Sequence, residues 1–253
     1  MRRLFPEPGP NSDAGLDDAG LVAAYALPAG ASLRVNFITS LDGATTVDGR
    51  SGGLGTPGDL RIFQVLRALA DVVLVGAGTA AAEGYRAVVA DSPVGWIRTS
   101  IGRPPTMPIA IVSRRASLDP AGGLVAGAPS PTILVTCGAA DPVRRAALAD
   151  AGVTVLVCGD DEVDLPTAVD QLGELGHEHV LCEGGSTLFR SALTAGVVDE
   201  LDLSIAPSLV GAEPRLLDSL PGRPVRLDLR QLLEEDGVLF GRYRVQRTVD
   251  RER

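Results

Sequence analysis

The sequence predicts an α/β fold: a three-layer sandwich with a mostly parallel central sheet and a C-terminal antiparallel hairpin. Three observations carry this. Short, near-continuous apolar runs recur along the chain, the pattern of strands covered on both faces. Between them lie capped segments with helical periodicity, and strand–helix–strand alternation at this spacing implies parallel βαβ crossovers. The tail departs from this, with two strand-like runs joined by a tight acidic turn.

Taken in order, residues 1–30 read as a peripheral N-terminal extension. Proline and glycine dominate its first ten positions, and Leu16 to Leu27 has the length of one short helix. A single domain is expected over residues 31–253. Its first strand is Ser32 to Ile38, with alternating character. Thr56-Pro57 then opens a helix, Thr as N-cap and Pro in the first turn, with Ile62, Val65, Leu66 and Leu69 as its apolar face. Asp71 to Gly76 is a buried strand, and Met107 to Val112 and Thr132 to Val135 repeat its character. Asp141-Pro142 caps a helix ending at Ala151-Gly152, followed by a strand from Val153 to Val157. Pro166 to Leu175 is helical and closed by Gly176. His179 to Cys182 is a strand running into Glu183-Gly184-Gly185. Ser186 caps a helix carrying Leu188, Phe189, Ala192 and Leu193, closed by Gly196. Val225 to Leu233 and Val238 to Gln246 form the hairpin.

Composition narrows the chemistry. All 23 basic residues are arginine. Without lysine there is no Schiff-base catalysis and no Walker-type phosphate loop. Two histidines and three widely spaced cysteines offer no metal-ligand pattern, so no metal is expected. A Ser-His-Asp hydrolase remains open only through His177 or His179. The formal charge of −9 argues against a nucleic-acid surface, and an anionic ligand must be met by local arginines and helix N-termini. The start lacks an apolar signal core, no apolar stretch approaches a membrane span, and the odd cysteine count suits free thiols. A cytoplasmic protein is expected.

Four constellations suggest a site. Gly76-Ala77-Gly78-Thr79-Ala80-Ala81 follows a buried strand and matches G-x-G-x-x-A, whose glycines let the backbone approach a pyrophosphate. No second strand ending in an acid follows, so an ordinary glycine turn fits equally. Glu183-Gly184-Gly185-Ser186 is a second such turn, and ligands of open α/β sheets gather at the carboxyl ends of strands. Asn36, Ser40 and Asp42 share one face if the chain stays extended, as in a polar pocket wall; the alternative is an Asp42-Gly43 turn. Ser113-Arg114-Arg115 ends an apolar strand in paired guanidiniums, suited to a 2′-phosphate or simply to solvent.

Val35 to Gly43, Leu66 to Thr79, Glu183-Gly184-Gly185, Val198-Asp199-Glu200-Leu201 and Ile205 to Gly211 stand in an order and spacing that resembles the pyrimidine reductase domain of riboflavin biosynthesis. The resemblance spans about residues 32–245. It implies a dihydrofolate-reductase-like fold and a stand-alone reductase, since no deaminase zinc motif is present. It implies NADPH as cofactor and reduction of the ribosyl group of 5-amino-6-(5-phosphoribosylamino)uracil to the ribityl form. By resemblance Val75, Gly76, Gly78, Thr79, Glu183, Gly184, Gly185 and Ser186 would hold the cofactor, with Ser113 and Arg114 toward its adenosine end. Asn36, Ser40, Asp42 and Arg86 would bind substrate, with Asp42 and Glu183 the acidic catalytic candidates. Relatives commonly continue from the glycine turn toward Asp-Asn or Asp-Pro; here the chain reads Ala82-Glu83-Gly84-Tyr85-Arg86. That difference keeps a dihydrofolate or pterin reductase as an alternative; a second alternative, of a different class, is a non-catalytic dinucleotide-binding protein. The hairpin edge needs covering, and relatives pair through their sheets, so a homodimer is expected.

Overall fold

The computed structural model of the chain describes residues 1–7, 15–27, 29–211, 214–220 and 224–246. Residues 8–14 near the start, and the end of the 31–253 domain after Gln246, lie outside the described residues. In chain order the elements are β1 (Arg2–Phe5), α1 (Asp18–Ala24), β2 (Ser32–Ser40), α2 (Pro57–Leu69), β3 (Val72–Gly76), α3 (Ala77–Ala82), α4 (Pro93–Ser100), β4 (Ile109–Val112) and β5 (Ile133–Thr136). There follow α5 (Pro142–Asp150), β6 (Thr154–Val157), α6 (Leu165–Glu174), β7 (His179–Cys182), α7 (Ser186–Thr194), β8 (Glu200–Ala206), β9 (Leu227–Glu235) and β10 (Val238–Val245).

All ten strands join one sheet, ordered β1-β9-β10-β8-β2-β7-β3-β4-β5-β6. From β8 to β6 every pairing is parallel; β10, β9 and β1 add antiparallel neighbours. The mixed sheet and its hairpin agree with the sequence reading. Alternate residues of a parallel strand face opposite layers. Thus Val73 and Val75 of β3 pack with Leu21, Ile62, Leu66 and Leu69 of α1 and α2, whereas Val72 and Leu74 join Leu165, Leu172, Leu188 and Phe189 of α6 and α7. Helix starts obey local chemistry. Thr56, Asp141 and Asp164 accept hydrogen bonds from first-turn amides of α2, α5 and α6, each with Pro in that turn.

Several expectations change. Residues 1–30 are not merely peripheral in the described part: β1 pairs with β9, and Leu21 and Tyr25 are fully buried beside α2. β1 pairs with β9 at Leu232–Glu234, so part of the hairpin edge that motivated the homodimer expectation is covered within the chain; the outermost strands are β1 and β6. Helix α4 and strand β8 were not expected. Helix α4 starts like α2, α5 and α6 with a side-chain cap followed by proline, here Ser92-Pro93, the Ser92 hydroxyl accepting from Gly95 N–H.

Candidate active site

Two cavities open at the carboxyl ends of β2, β3 and β7, where ligands of open α/β sheets collect. The first is a cleft of about 470 Å³. The turn Gly76-Ala77-Gly78-Thr79 forms one lip, and Gly185-Ser186-Thr187 with Leu188 and Ser191 forms the other. Arg114, Glu162, Val163 and Leu165 close its far end. The second, about 270 Å³, is lined by Asn36, Phe37, Thr45, Thr46, Asp59, Phe63, Thr79, Tyr85, Glu183, Gly185 and Ser186, among others. Thr79, Gly185 and Ser186 border both, so the two spaces meet at one point.

The backbone makes that meeting possible. Gly76 N–H donates to Gly184 O at 2.7 Å, tying the β3 and β7 turns together. Gly184 sits at φ +86°, and a Cβ there would lie 2.6 Å from the Phe37 ring; one on Gly185 would lie 2.6 Å from Thr79 Oγ1. Helix α7 is capped by Gly185 rather than by the Ser186 side chain, and no side chain bonds its first amides. Those amides therefore face the cleft with hydrogen-bonding capacity left for a ligand.

Glu183 leaves β7 into the second cavity, but its carboxylate is committed. Oε1 accepts from Arg67 Nε at 2.7 Å, and Oε2 accepts from an Arg67 terminal nitrogen at 2.7 Å and from Tyr85 Oη at 2.6 Å. Arg67 in turn lies 4.2 Å from the Phe63 ring centroid and 5.1 Å from that of Tyr85. Burial opposes the Arg67 charge, but the adjacent Glu183 carboxylate outweighs it, and the guanidinium is held above its ordinary range. Three donors thus converge on the Glu183 carboxylate.

Asp42 is elsewhere. Strand β2 ends at Ser40, Gly43 turns at φ +86°, and the Asp42 carboxylate accepts from Ser40 Oγ and from the Val210 and Gly211 amides. These bonds, Ser40 foremost, pull its carboxyl down to about 2. Neither Ser40 nor Asp42 lines the cavity, so the turn reading holds and the shared-face reading does not. Asn36 does line it, and its Oδ1 is buried without a partner among the described residues. A second carboxyl, Asp59 in the first turn of α2, lines the cavity. Burial pushes it above its ordinary value, and a hydrogen bond with Ser204 only partly offsets this.

The remaining expected residues divide. Gly76, Gly78, Thr79, Gly185, Ser186 and Arg114 line the cleft. Val75 is fully buried in the sheet, Gly184 packs on Phe37, and Ser113 Oγ bonds Ser117 at 2.9 Å; none of the three lines a cavity. Arg86 lines an adjoining depression that shares Ser51, Phe63, Glu83 and Tyr85 with the second cavity. Asp59, Phe63, Thr45, Thr46 and Tyr85 were not expected. An Asp in a first helical turn looks like dipole compensation, and only the tertiary fold reveals its second setting. Among the described residues no His, Cys, Asp and Glu cluster suits a metal, and no helix is long and apolar enough to cross a membrane.

Comparison with known proteins gives concordant results. The model of the RibD C-terminal domain matches residues 31–238. A 2,5-diamino-6-ribosylamino-4(3H)-pyrimidinone 5′-phosphate reductase from Methanothermobacter thermautotrophicus is 32% identical over 204 residues, covering 81% of this chain and 84% of its own. A protein of the same name from Archaeoglobus fulgidus is 28% identical, covering 70% and 80%. The crystal structure of a pyrimidine reductase-like protein from Corynebacterium diphtheriae superimposes with a TM-score of 0.77 at 31% identity, covering 86% of this chain and 92% of that one.

Proposed function

Because this chain belongs to the RibD C-terminal domain family and is a reductase of riboflavin biosynthesis, we propose that it reduces a ribosylamino pyrimidine 5′-phosphate to its ribitylamino form with NADPH. One observation carries the reading: a glycine-lipped cleft and a polar cavity share Thr79, Gly185 and Ser186. Hydride transfer needs such a junction, because donor and acceptor carbons must come within van der Waals reach.

The residues present fit the cofactor. Gly76, Gly78 and Gly185 leave room for a pyrophosphate beside the uncapped amides of α7. Arg114, held by Asp161 O and Glu162 through Nε, keeps its terminal nitrogens for a 2′-phosphate. When bound, the nicotinamide supplies the hydride.

The protein's task is orientation and one proton. As a C–H bond forms at C1′ of the sugar, the bond to the ring oxygen breaks and that oxygen takes a proton. Asp59 supplies it: the carboxyl lines the cavity, and its raised affinity for the proton favours the acid form. Asn36 Oδ1 and Glu183 accept from substrate donors, and Arg86 meets the phosphate if the substrate reaches into the adjoining depression. The stand-alone relatives are named for the 2,5-diamino pyrimidinone. It differs from the uracil form, expected from the sequence, at pyrimidine carbon 2 and carries the same ribosyl group. The test is steady-state NADPH oxidation with each of these two phosphates and with dihydrofolate. Turnover of at least one pyrimidine, faster with NADPH than NADH, supports the reading. Turnover of dihydrofolate alone, or of none, overturns it.

A further inference from the structure

The cluster on the wall of the substrate cavity is more elaborate than cofactor or substrate contact requires. Three elements supply it: Phe63 and Arg67 from α2, Glu183 from the end of β7, and Tyr85 from the segment after α3. A carboxylate offers about four lone-pair directions. Arg67 takes two and Tyr85 takes a third, all at 2.6–2.7 Å. Glu183 also borders the cavity, and its orientation is fixed by Arg67 and Tyr85.

The geometry points to Tyr85 and Arg67 as positioning residues: they lock the Glu183 carboxylate so that it accepts a hydrogen bond from a hydroxyl or N–H of the bound pyrimidine nucleotide. This rests on the proposed function and deepens it. Each part of the cluster serves the lock. The planar guanidinium presents two parallel donors to the carboxylate, which a lysine ammonium does not. Stacking of Arg67 between the Phe63 and Tyr85 rings removes its freedom to swing. Burial, and then the Glu183 charge, push the Tyr85 phenol upward, so it keeps its proton and remains a donor. Tyr85 lies in the Ala82–Arg86 segment, where the sequence departs from the common continuation of its relatives. The departure therefore brings a hydroxyl donor onto the cavity wall.

The test is Tyr85→Phe, which removes one hydroxyl and no packing carbon. A hydrogen bond to a charged group is worth roughly a tenfold effect, so kcat/KM for the pyrimidine substrate falls about tenfold. The Kd for NADPH stays within about twofold, because Tyr85 does not line the cofactor cleft. In a Glu183→Gln background the Tyr85→Phe substitution has no further effect, since both act through one carboxylate. Multiplicative losses in the double variant, or equal losses in substrate turnover and NADPH binding, overturn the inference. So does an unchanged kcat/KM in Tyr85→Phe. If Glu183→Gln does not fold, the single-variant split between substrate and NADPH decides. Wild-type turnover separates the two levels: turnover with an indifferent Tyr85→Phe sinks this inference alone, whereas no turnover sinks the proposed function and this inference with it.

Discussion

The carboxyl groups of Asp42 and Asp59 have opposite surroundings, and these decide what each can do. Asp42 accepts three hydrogen bonds and is pulled down to about 2; Asp59 is pushed up by burial. A group with a depressed folded value stabilises the fold above its unfolded value near 3.8 and loses that contribution as pH falls through about 2. Asp42→Asn therefore lowers Tm at neutral pH, and the gap to wild type closes between about pH 4 and pH 2. Its kcat/KM stays within about threefold of wild type. Asp59→Asn does the reverse: kcat/KM falls roughly 10²-fold, while Tm at neutral pH rises, because burial makes the ionised carboxyl a cost to the fold. Steady-state kinetics and a melting series on both variants check the pair. Local alternation grouped Asp42 with Asn36 because it assumed that β2 continued; the strand stops at Ser40 and Gly43 reverses the chain. Asp59 escaped because its cavity setting and its hydrogen bond with Ser204 of β8 involve residues far away in sequence.

At the scale of elements, β8 is a buried strand that carries charges. Glu200 accepts from Arg34 and Arg242, and those arginines also donate to the Tyr25, Ala24 and Ala26 carbonyls at the end of α1. Asp202 lies among Arg34 of β2, Arg242 of β10, Tyr25 beyond α1 and Glu200 of its own strand. Burial raises it to about 6, against the pull of Arg34. An acid with a raised folded value binds its proton more tightly when folded, so stability falls as pH rises from about 4 to about 6. Asp202→Asn removes that cost. Arg34 keeps its two hydrogen bonds to Glu200, so no buried charge is orphaned. Melting temperatures across pH 4–8 should show a flatter profile and a gain above about pH 6 for the variant; a loss of stability at neutral pH would contradict the assignment. Parallel core strands and capped helices were legible because period and cap chemistry are local. Strand β8 was not, because Glu200, Asp202 and Ser204 alternate as if solvated while burying their polar groups against distant arginines and Asp59.

For the whole molecule, the sheet order puts β2 between β7 and β8, with β3 beyond β7, so three parallel strands deliver their carboxyl ends to one place. The two glycine turns and Asn36 were legible as site elements for that reason: strand-end turns need no distant partner to be recognised. The N-terminal segment was misjudged because its composition is turn-rich while its two anchors, Leu21 and Tyr25, are isolated in sequence. Burying two such side chains stabilises by about 3–6 kcal/mol, so deleting residues 1–30 should lower unfolding free energy by that order in denaturant titration. Unchanged stability would show the segment to be dispensable.

The central claim is that the cleft and the cavity join so that hydride passes from NADPH to the sugar carbon of a pyrimidine nucleotide. The most direct measurement follows the hydride itself. The enzyme is supplied with NADPH carrying deuterium at nicotinamide C4, on each face in turn, and with the ribosylamino pyrimidine phosphates. Deuterium is expected at C1′ of a ribitylamino product from one face only. Product without deuterium at that carbon, or oxidation of NADPH with the ribosyl group unchanged, would contradict it.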